Sequence, residues 1–200
     1  MNILASIHPQ YCVPIADRRK QVEIRKTKPK IAVPFKVYIY ETKGRMTLKA
    51  KAMTPWRNGS TLTDFYICEG RGKVIGEFVC DEIYTFEYEN GGFLIKGDIA
   101  TTQDVLAMSY LSDYEFRRYA GDKTVYGCHI SDLVIYDNPK ELNELVTICP
   151  EWKKGYFDYK CMRCKHYFCN DADMRHECTV EGEIPITRPP QSWCYVAEVV

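Results

Sequence analysis

The sequence has no excess of charge of either sign: 27 Lys and Arg balance 27 Asp and Glu. That balance excludes a bulk electrostatic pull of the whole molecule toward nucleic acid or an anionic membrane. No run reaches the 18 apolar residues of a membrane-spanning helix, so no membrane partner is expected. The opening Met1-Asn2-Ile3-Leu4-Ala5-Ser6-Ile7-His8-Pro9 is too short and too polar for a secretory signal, and the expected location is cytoplasmic. Only 12 of the 200 residues are Gly, far from the one in three of collagen, and the apolar content excludes disorder. No strand–helix–strand unit recurs at the required length, which argues against a parallel α/β sheet.

What is present is the material of a folded domain. Hydrophobic residues make up 46% of the chain, 13% is aromatic, and 15 residues are Tyr, a composition that leans toward β structure. A chain of this length buries roughly 70% of its unfolded surface, enough for a core without covalent staples. The neutral total hides a split, because residues 1–60 hold 13 Lys and Arg against three Asp and Glu, a net charge of +10, and residues 61–200 hold the compensating −10. Such asymmetry points to a basic binding face, unless the two parts interleave in the fold and cancel.

Asn2 to Ile7 alternates apolar and polar residues as a half-buried strand does. Pro9 suits a first helical position, and Cys12, Ile15 and Ala16 follow at helical spacing; Pro14 keeps that helix short or kinked. Lys20-Gln21-Val22-Glu23-Ile24-Arg25 alternates again, with Val22 and Ile24 on one face and Glu23, Arg25 and Lys20 off it. Strands are also expected at Val37–Tyr40, Val74–Val79, Thr124–Leu133 and Trp193–Val199. Residues 44–72 show no periodicity and are expected to form a loop or insertion. Thr101 and Ser112 each stand three residues before an acidic residue, Asp104 and Glu115, and are expected to cap helices over about 102–109 and 113–119. The fold class expected from these elements is α+β: a small mixed β-barrel with two or three short helices.

Taken in order, these segments resemble the ASCH family of PUA-like domains. The resemblance rests on Ile3-Leu4-Ala5-Ser6-Ile7-His8-Pro9-Gln10-Tyr11, Lys20-Gln21-Val22-Glu23-Ile24-Arg25-Lys26, Val37-Tyr38-Ile39-Tyr40-Glu41-Thr42 and Gly72-Lys73-Val74-Ile75-Gly76-Glu77-Phe78. It continues through Ser112-Asp113-Tyr114-Glu115-Phe116 and Tyr126-Gly127-Cys128-His129-Ile130. It covers about 1–145 apart from the 44–72 insert, and the ending Arg188-Pro189-Pro190-Gln191-Ser192-Trp193-Cys194-Tyr195-Val196 is similar to that of ASCH proteins in prophages of Gram-positive bacteria. The resemblance implies a PUA-like barrel with a cleft beside the first helix, lined by the Lys-x-x-Glu-x-Arg strand, that takes RNA or a nucleotide-like ligand.

Lys20, Glu23, Arg25 and Lys26 are the implied ligand-binding residues. Lys20 and Arg25 suit phosphate or a base carbonyl, Arg25 in bidentate fashion, and Glu23 suits an exocyclic amine. The competing reading of the residues is a surface salt-bridge ladder of little energetic consequence. One branch of the family resembles an amidohydrolase of N4-acetylcytidine that uses a Lys, a Thr three positions later and a distal Glu. Lys20 matches the Lys, but the Thr position holds Glu23, and Ser109 to Ser112 contains no Glu. A protein-interaction module, marked by a large exposed apolar patch, is a third possibility.

Ten Cys are too few for a disulfide scaffold, and Cys12, Cys68, Cys80 and Cys128 read as dispersed buried thiols. The region 146–200 differs. Cys161-Met162-Arg163-Cys164 is a C-x2-C knuckle followed by Cys169 and Cys178, a set suited to structural zinc. The later spacings are not those of a standard second knuckle, so Cys149, Cys194, His166 or His176 are alternatives to Cys169 or Cys178. A disulfide-bonded tail is the rival, disfavoured in a reducing compartment.

Overall fold

The computed structural model describes residues 1–50, 63–69, 71–149, 167–170, 175–178 and 182–197, with side chains described outside 45–50, 63–69, 167–170 and 175–178. Fifteen strands and three α-helices are found among them. The main sheet has five strands in the order β10-β6-β3-β1-β15, with β1 at Asn2–Ile7, β3 at Phe35–Glu41, β6 at Val74–Cys80, β10 at Ser131–Lys140 and β15 at Trp193–Val196. The second has four in the order β2-β9-β7-β8, with β2 at Val22–Arg25, β7 at Ile83–Glu89, β8 at Gly92–Leu94 and β9 at Val125–His129. Pairing is antiparallel throughout the main sheet except between β1 and β3, whose parallel register sets Leu4 opposite Tyr38.

The expected mixed α+β body is present, but among the described residues its two main sheets do not close into a barrel. On one side the two sheets are joined by a continuous antiparallel ribbon: Ser131 pairs with Val79 in the main sheet, and Cys128 pairs with Ile83 in the second. The His129 N–H donates to Glu82 O at 2.9 Å across the corner, so the backbone ladder carries through. On the other side β2 and β15 are both sheet edges. The two edges of β1 are already occupied by β3 and β15, so β2 has no ladder available to it there. The seam is bridged instead by side chains and by loop backbone.

Three apolar clusters follow from this arrangement. Ile3, Ala5, Ile7, Val37, Ile39 and Phe78 on the inner face of the main sheet meet Cys12 and Ile15 from α1 (Pro9–Ala16). Leu4, Tyr38, Tyr40 and Val74 on the outer face are covered by Leu145 and Ile186, so β1 is buried along its whole length. Val22, Ile24, Phe86 and Val125 of the second sheet meet Val105 of α2 (Ile99–Met108) and Phe116 and Ala120 of α3 (Asp113–Ala120). The Phe116 ring lies 4.9 Å from Phe86 and 5.0 Å from Phe93, centroid to centroid. Gly127 in β9 is required by close approach, since a Cβ there would stand 2.7 Å from a Val22 methyl.

α1 starts at Pro9 without a side-chain cap, whereas α2 and α3 start where a side chain accepts from their first backbone donors. Ser112 forms the expected capping box with Glu115. Thr101 does not cap α2: the helix begins earlier, at Asp98, whose carboxylate accepts from the Ala100 N–H at 2.9 Å. The expected loop at 44–72 contains a hairpin, β4 (Arg45–Ala50) paired with β5 (Thr63–Glu69), where cross-strand backbone bonding forms without an alternating pattern to announce it. After a 3-10 turn at Leu142–Glu144, β11 (Val146–Ile148) pairs with β14 (Glu183–Pro185). Between them β12 (Tyr167–Asn170) pairs with β13 (Arg175–Cys178), with Cys169 opposite His176. Cys161, Cys164 and His166 lie outside the described residues. Cys12, Cys80 and Cys128 are buried free thiols, as expected.

Candidate ligand cleft at the open seam

A cleft of about 390 Å³ opens where the backbone ladder stops. Its walls come from the end of β1, α1, β2, α3 and the segment before β15, and it is lined by Lys20, Glu23, Arg25, Lys26, Tyr11 and Tyr119, among others. The four residues expected from the sequence to bind a ligand therefore share one concave surface. They do not form a flat, solvated salt-bridge ladder.

β2 explains the placement. Val22 and Ile24 enter the cluster under α2 and α3, so alternation turns Glu23 and Arg25 to the opposite face. That face meets β1 and the approach to β15, which buries Glu23 to 7% and Arg25 to 8% of their exposed areas. Lys20 precedes the strand and is enclosed to 2%. Its Nζ donates to Ser109 O at 2.6 Å, at the C-cap of α2, where unpaired carbonyls and the helix dipole favour a cation. A second free carbonyl at that helix end, Met108 O, accepts from the Gln21 N–H at 2.8 Å.

Glu23 holds both cations. Its Oε1 is 2.9 Å from Arg25 Nη2 and its Oε2 is 3.3 Å from Lys20 Nζ. Arg25 also donates from Nη2 to Ser6 O at 2.9 Å and from Nη1 to Ser192 O at 3.1 Å, while Ser192 Oγ stands 3.4 Å from Nη1. The guanidinium thus spans the seam from β2 to β1 and to the start of β15. Ser6 Oγ donates to Pro190 O at 2.7 Å and tightens the same junction. Farther along, Trp193 Nε1 donates to Thr27 Oγ1 at 2.9 Å and the Lys30 N–H donates to the Tyr195 hydroxyl at 2.7 Å.

The floor of the cleft is a buried cluster of two cations and one carboxylate. Burial pushes the Lys20 ammonium below the ordinary lysine range, against the opposing pull of Glu23. Lys20 Nζ lies 5.4 Å from the centre of the Tyr11 ring, and Lys26 Nζ lies 5.0 Å from that of Tyr119. Burial raises the pKa of both phenols, so the rings stay neutral. The expected bidentate use of Arg25 has little room, since both terminal nitrogens are engaged within the protein. The Nε–H of Arg25 is buried without a partner.

Sequence reading missed several of the surrounding groups. Ser109 and Ser192 contribute backbone carbonyls, which no side-chain pattern encodes. Tyr119 had a visible signal, an aromatic residue four positions after Glu115 on a short charged helix, a spacing that puts both on one face. Glu115 lines the cleft, with its carboxylate held by Ser112.

No family model matches the sequence, and no curated protein matches it. Solved structures do. An ASCH protein from Zymomonas mobilis superposes with a TM-score of 0.52 at 16% identity, covering 98% of this chain and 88% of that one. A point mutant of that protein gives 0.51 at the same identity, covering 98% and 91%. The chain has the ASCH fold. At this identity the likeness concerns the architecture, and the ASCH fold here is the two-sheet body with its side-chain-bridged seam.

Proposed function

We propose that this ASCH-fold protein binds RNA or a nucleotide-like ligand in the seam cleft, with Lys20, Glu23, Arg25 and Lys26 as its polar contacts. The supporting observation is the buried Lys20–Glu23–Arg25 cluster, which leaves one net positive charge at the base of a concavity flanked by two tyrosine rings. Such a floor favours an anion or an electron-rich base edge. The Glu23 oxygens keep acceptor capacity beyond their ion pairs for an exocyclic amine. Tyr119, partly exposed over the cleft, supplies a face on which an unstacked base can lie. The test is titration of a fluorescein-labelled single-stranded RNA at low and moderate salt with the native protein and Tyr119→Ala. Loss of a stacking platform costs roughly 1–3 kcal/mol. Absence of binding at low salt removes the nucleic-acid reading.

The amidohydrolase reading has one observation in its favour, the lowered pKa of Lys20. Against it, Glu23 occupies the position where a hydroxyl is needed, and the Ser109 hydroxyl is turned inward to Leu106 O at 2.6 Å. Incubation with N4-acetylcytidine, followed by chromatography for cytidine, distinguishes the two. A protein-interaction module is the weaker reading: among the described residues the exposed large apolar and aromatic side chains are spread over the N-terminus (Met1), a loop (Val33), the start of α2 (Ile99), the region of α3 (Tyr110, Tyr114, Tyr119) and the edge strand β10 (Val134, Ile135).

The chain is further proposed to divide into a body over 1–145 and a tail over 146–200, in which zinc is held by Cys161, Cys164, Cys169 and Cys178. The support is the C-x2-C spacing together with the β12–β13 hairpin, which brings the Cys169 and His176 backbones opposite each other. Cys194 packs against the outer-face cluster of the main sheet, which gives it a structural role apart from metal. Metal analysis with thiol counting under denaturing conditions is the test; zinc with ten titratable thiols supports the site, and a thiol deficit without metal means disulfides. A cytoplasmic, phage-derived regulatory role accords with the similarity of the 188–196 ending to prophage proteins. No helix among the described residues is long and apolar enough to cross a membrane.

A further inference from the structure

The segment Lys26-Thr27-Lys28-Pro29-Lys30 leaves β2 past the mouth of the cleft, which Lys26 and Thr27 help to line. It is pinned rather than free. Thr27 Oγ1 accepts from Trp193, the Lys30 N–H donates to the Tyr195 hydroxyl, and Pro29 is buried against the seam. The Trp193 and Tyr195 rings that hold it brace each other edge to face, 5.2 Å between centroids. All three lysines are exposed. Lys26 stands over Tyr119, and among the described residues neither Lys28 nor Lys30 has a carboxylate within ion-pair distance.

Five other cations of the N-terminal region are already engaged. Arg18 donates to Leu133 O, Arg19 pairs with Asp17, Lys20 and Arg25 share Glu23, and Lys36 pairs with Glu77. Among the cations whose side chains are described, Lys26, Lys28 and Lys30 thus place three ammonium groups without a carboxylate partner on a fixed lip beside the cleft, while Lys43, also exposed, lines a separate concavity. Lysine binds phosphate as a point charge without demanding one geometry, which suits successive phosphates of varied backbone conformation.

We infer that the 26–30 lip is a phosphodiester track, so that the cleft's ligand is one nucleotide of a single-stranded RNA rather than a free nucleoside or mononucleotide. The inference rests on the cleft reading for the base, but the lip makes its own contribution through charge. A single strand is required because its bases can turn individually into a pocket while the backbone runs past.

The experiment measures the salt dependence of binding of a labelled eight-nucleotide single-stranded RNA to the native protein and to the Lys28→Gln/Lys30→Gln double variant, with uridine 5′-monophosphate titrated in parallel. Both substitutions are exposed and leave the pins intact, because Lys30 is held through its backbone. Each phosphate contact on a single strand adds about 0.7 to the slope of log K against log salt, so the double variant should lose about 1.4 from it. Mononucleotide binding should be weaker than oligonucleotide binding and unchanged by the variant. Removing equal charge at Lys96 and Lys123, exposed on turns beside α2 and α3, should leave the slope as it was. An unaltered slope in the lip variant, or a mononucleotide that binds as tightly as the oligonucleotide, overturns the inference. So does equally tight, equally lip-dependent binding of polyglutamate, which would make the partner an acidic polypeptide. If the slope falls as expected while Tyr119→Ala has no effect, the track stands and the cleft reading fails.

Discussion

The two places where the sheets meet are built differently. At the ribbon side, β6–β7 and β9–β10 run through both sheets with backbone bonds carried around the corner by His129 N–H and Glu82 O. At the seam side, β2 and β15 share no ladder, and Arg25, Trp193 and Tyr195 make the connection. A backbone ladder satisfies its own donors and acceptors and leaves nothing for a ligand. A seam closed by side chains needs buried charge, keeps spare hydrogen-bonding capacity such as Arg25 Nε–H, and leaves a cleft. The candidate site lies where it does because the fold stops pairing there.

The largest expected effect tests whether the seam is a coupled cluster. Glu23→Ala strands two buried cations, and breaking a buried ion cluster in this way costs about 3–5 kcal/mol, read from urea unfolding. A loss below about 1 kcal/mol would mean that water reaches the cluster. Next, Arg25→Lys keeps the charge but loses the fork that reaches Ser6 and Ser192; the expected cost is about 1–3 kcal/mol. Amide exchange should accelerate in 26–30 and 192–195 and stay unchanged in 125–129. Faster exchange on both sides would erase the distinction between seam and ribbon.

A smaller effect concerns the helix that carries Tyr119. Ser112→Ala removes the α3 cap and should cost about 1 kcal/mol at neutral pH. Hydrogen bonds from Ser112 hold the Glu115 carboxyl below its ordinary range. That contribution is present above the unfolded pKa and is lost as pH falls through the folded one, so the gap between native and variant should narrow in acid. The smallest effect is one of sign. With its folded pKa lowered by burial, Lys20 penalises the native state while charged, and the penalty is relieved as pH climbs from the folded pKa toward 10.5. The difference in urea midpoint between native protein and Lys20→Met should move in favour of the native protein over that range. A constant difference would mean that Lys20 is solvated in solution.

The contrast between ribbon and seam also sets what could be read in advance. Strand alternation at Val22 and Ile24 was legible because one face of β2 meets an apolar cluster. The same alternation assigned Glu23 and Arg25 to a polar face without revealing that this face is buried, since burial depends on β1 and β15, more than 160 positions apart in the chain. The Ser112 cap is local and was legible; Asp98 caps α2 through the Ala100 N–H without the acidic residue three positions on that drew attention to Thr101. The opposite charges of the two chain regions cancel in part, through Lys36 with Glu77, and in part survive at Lys26, Lys28 and Lys30. A barrel was expected from the short strands and helices, whereas whether the sheets close depends on which strand edges are already occupied.

Hydrogen exchange with and without a saturating single-stranded RNA oligonucleotide tests most directly that ligand binding belongs to the seam. The account predicts protection over 6–8, 20–30, 111–119 and 190–193, with the ribbon at 76–86 and 125–135 unchanged. Protection centred on the ribbon, or spread evenly over both sides, would contradict it.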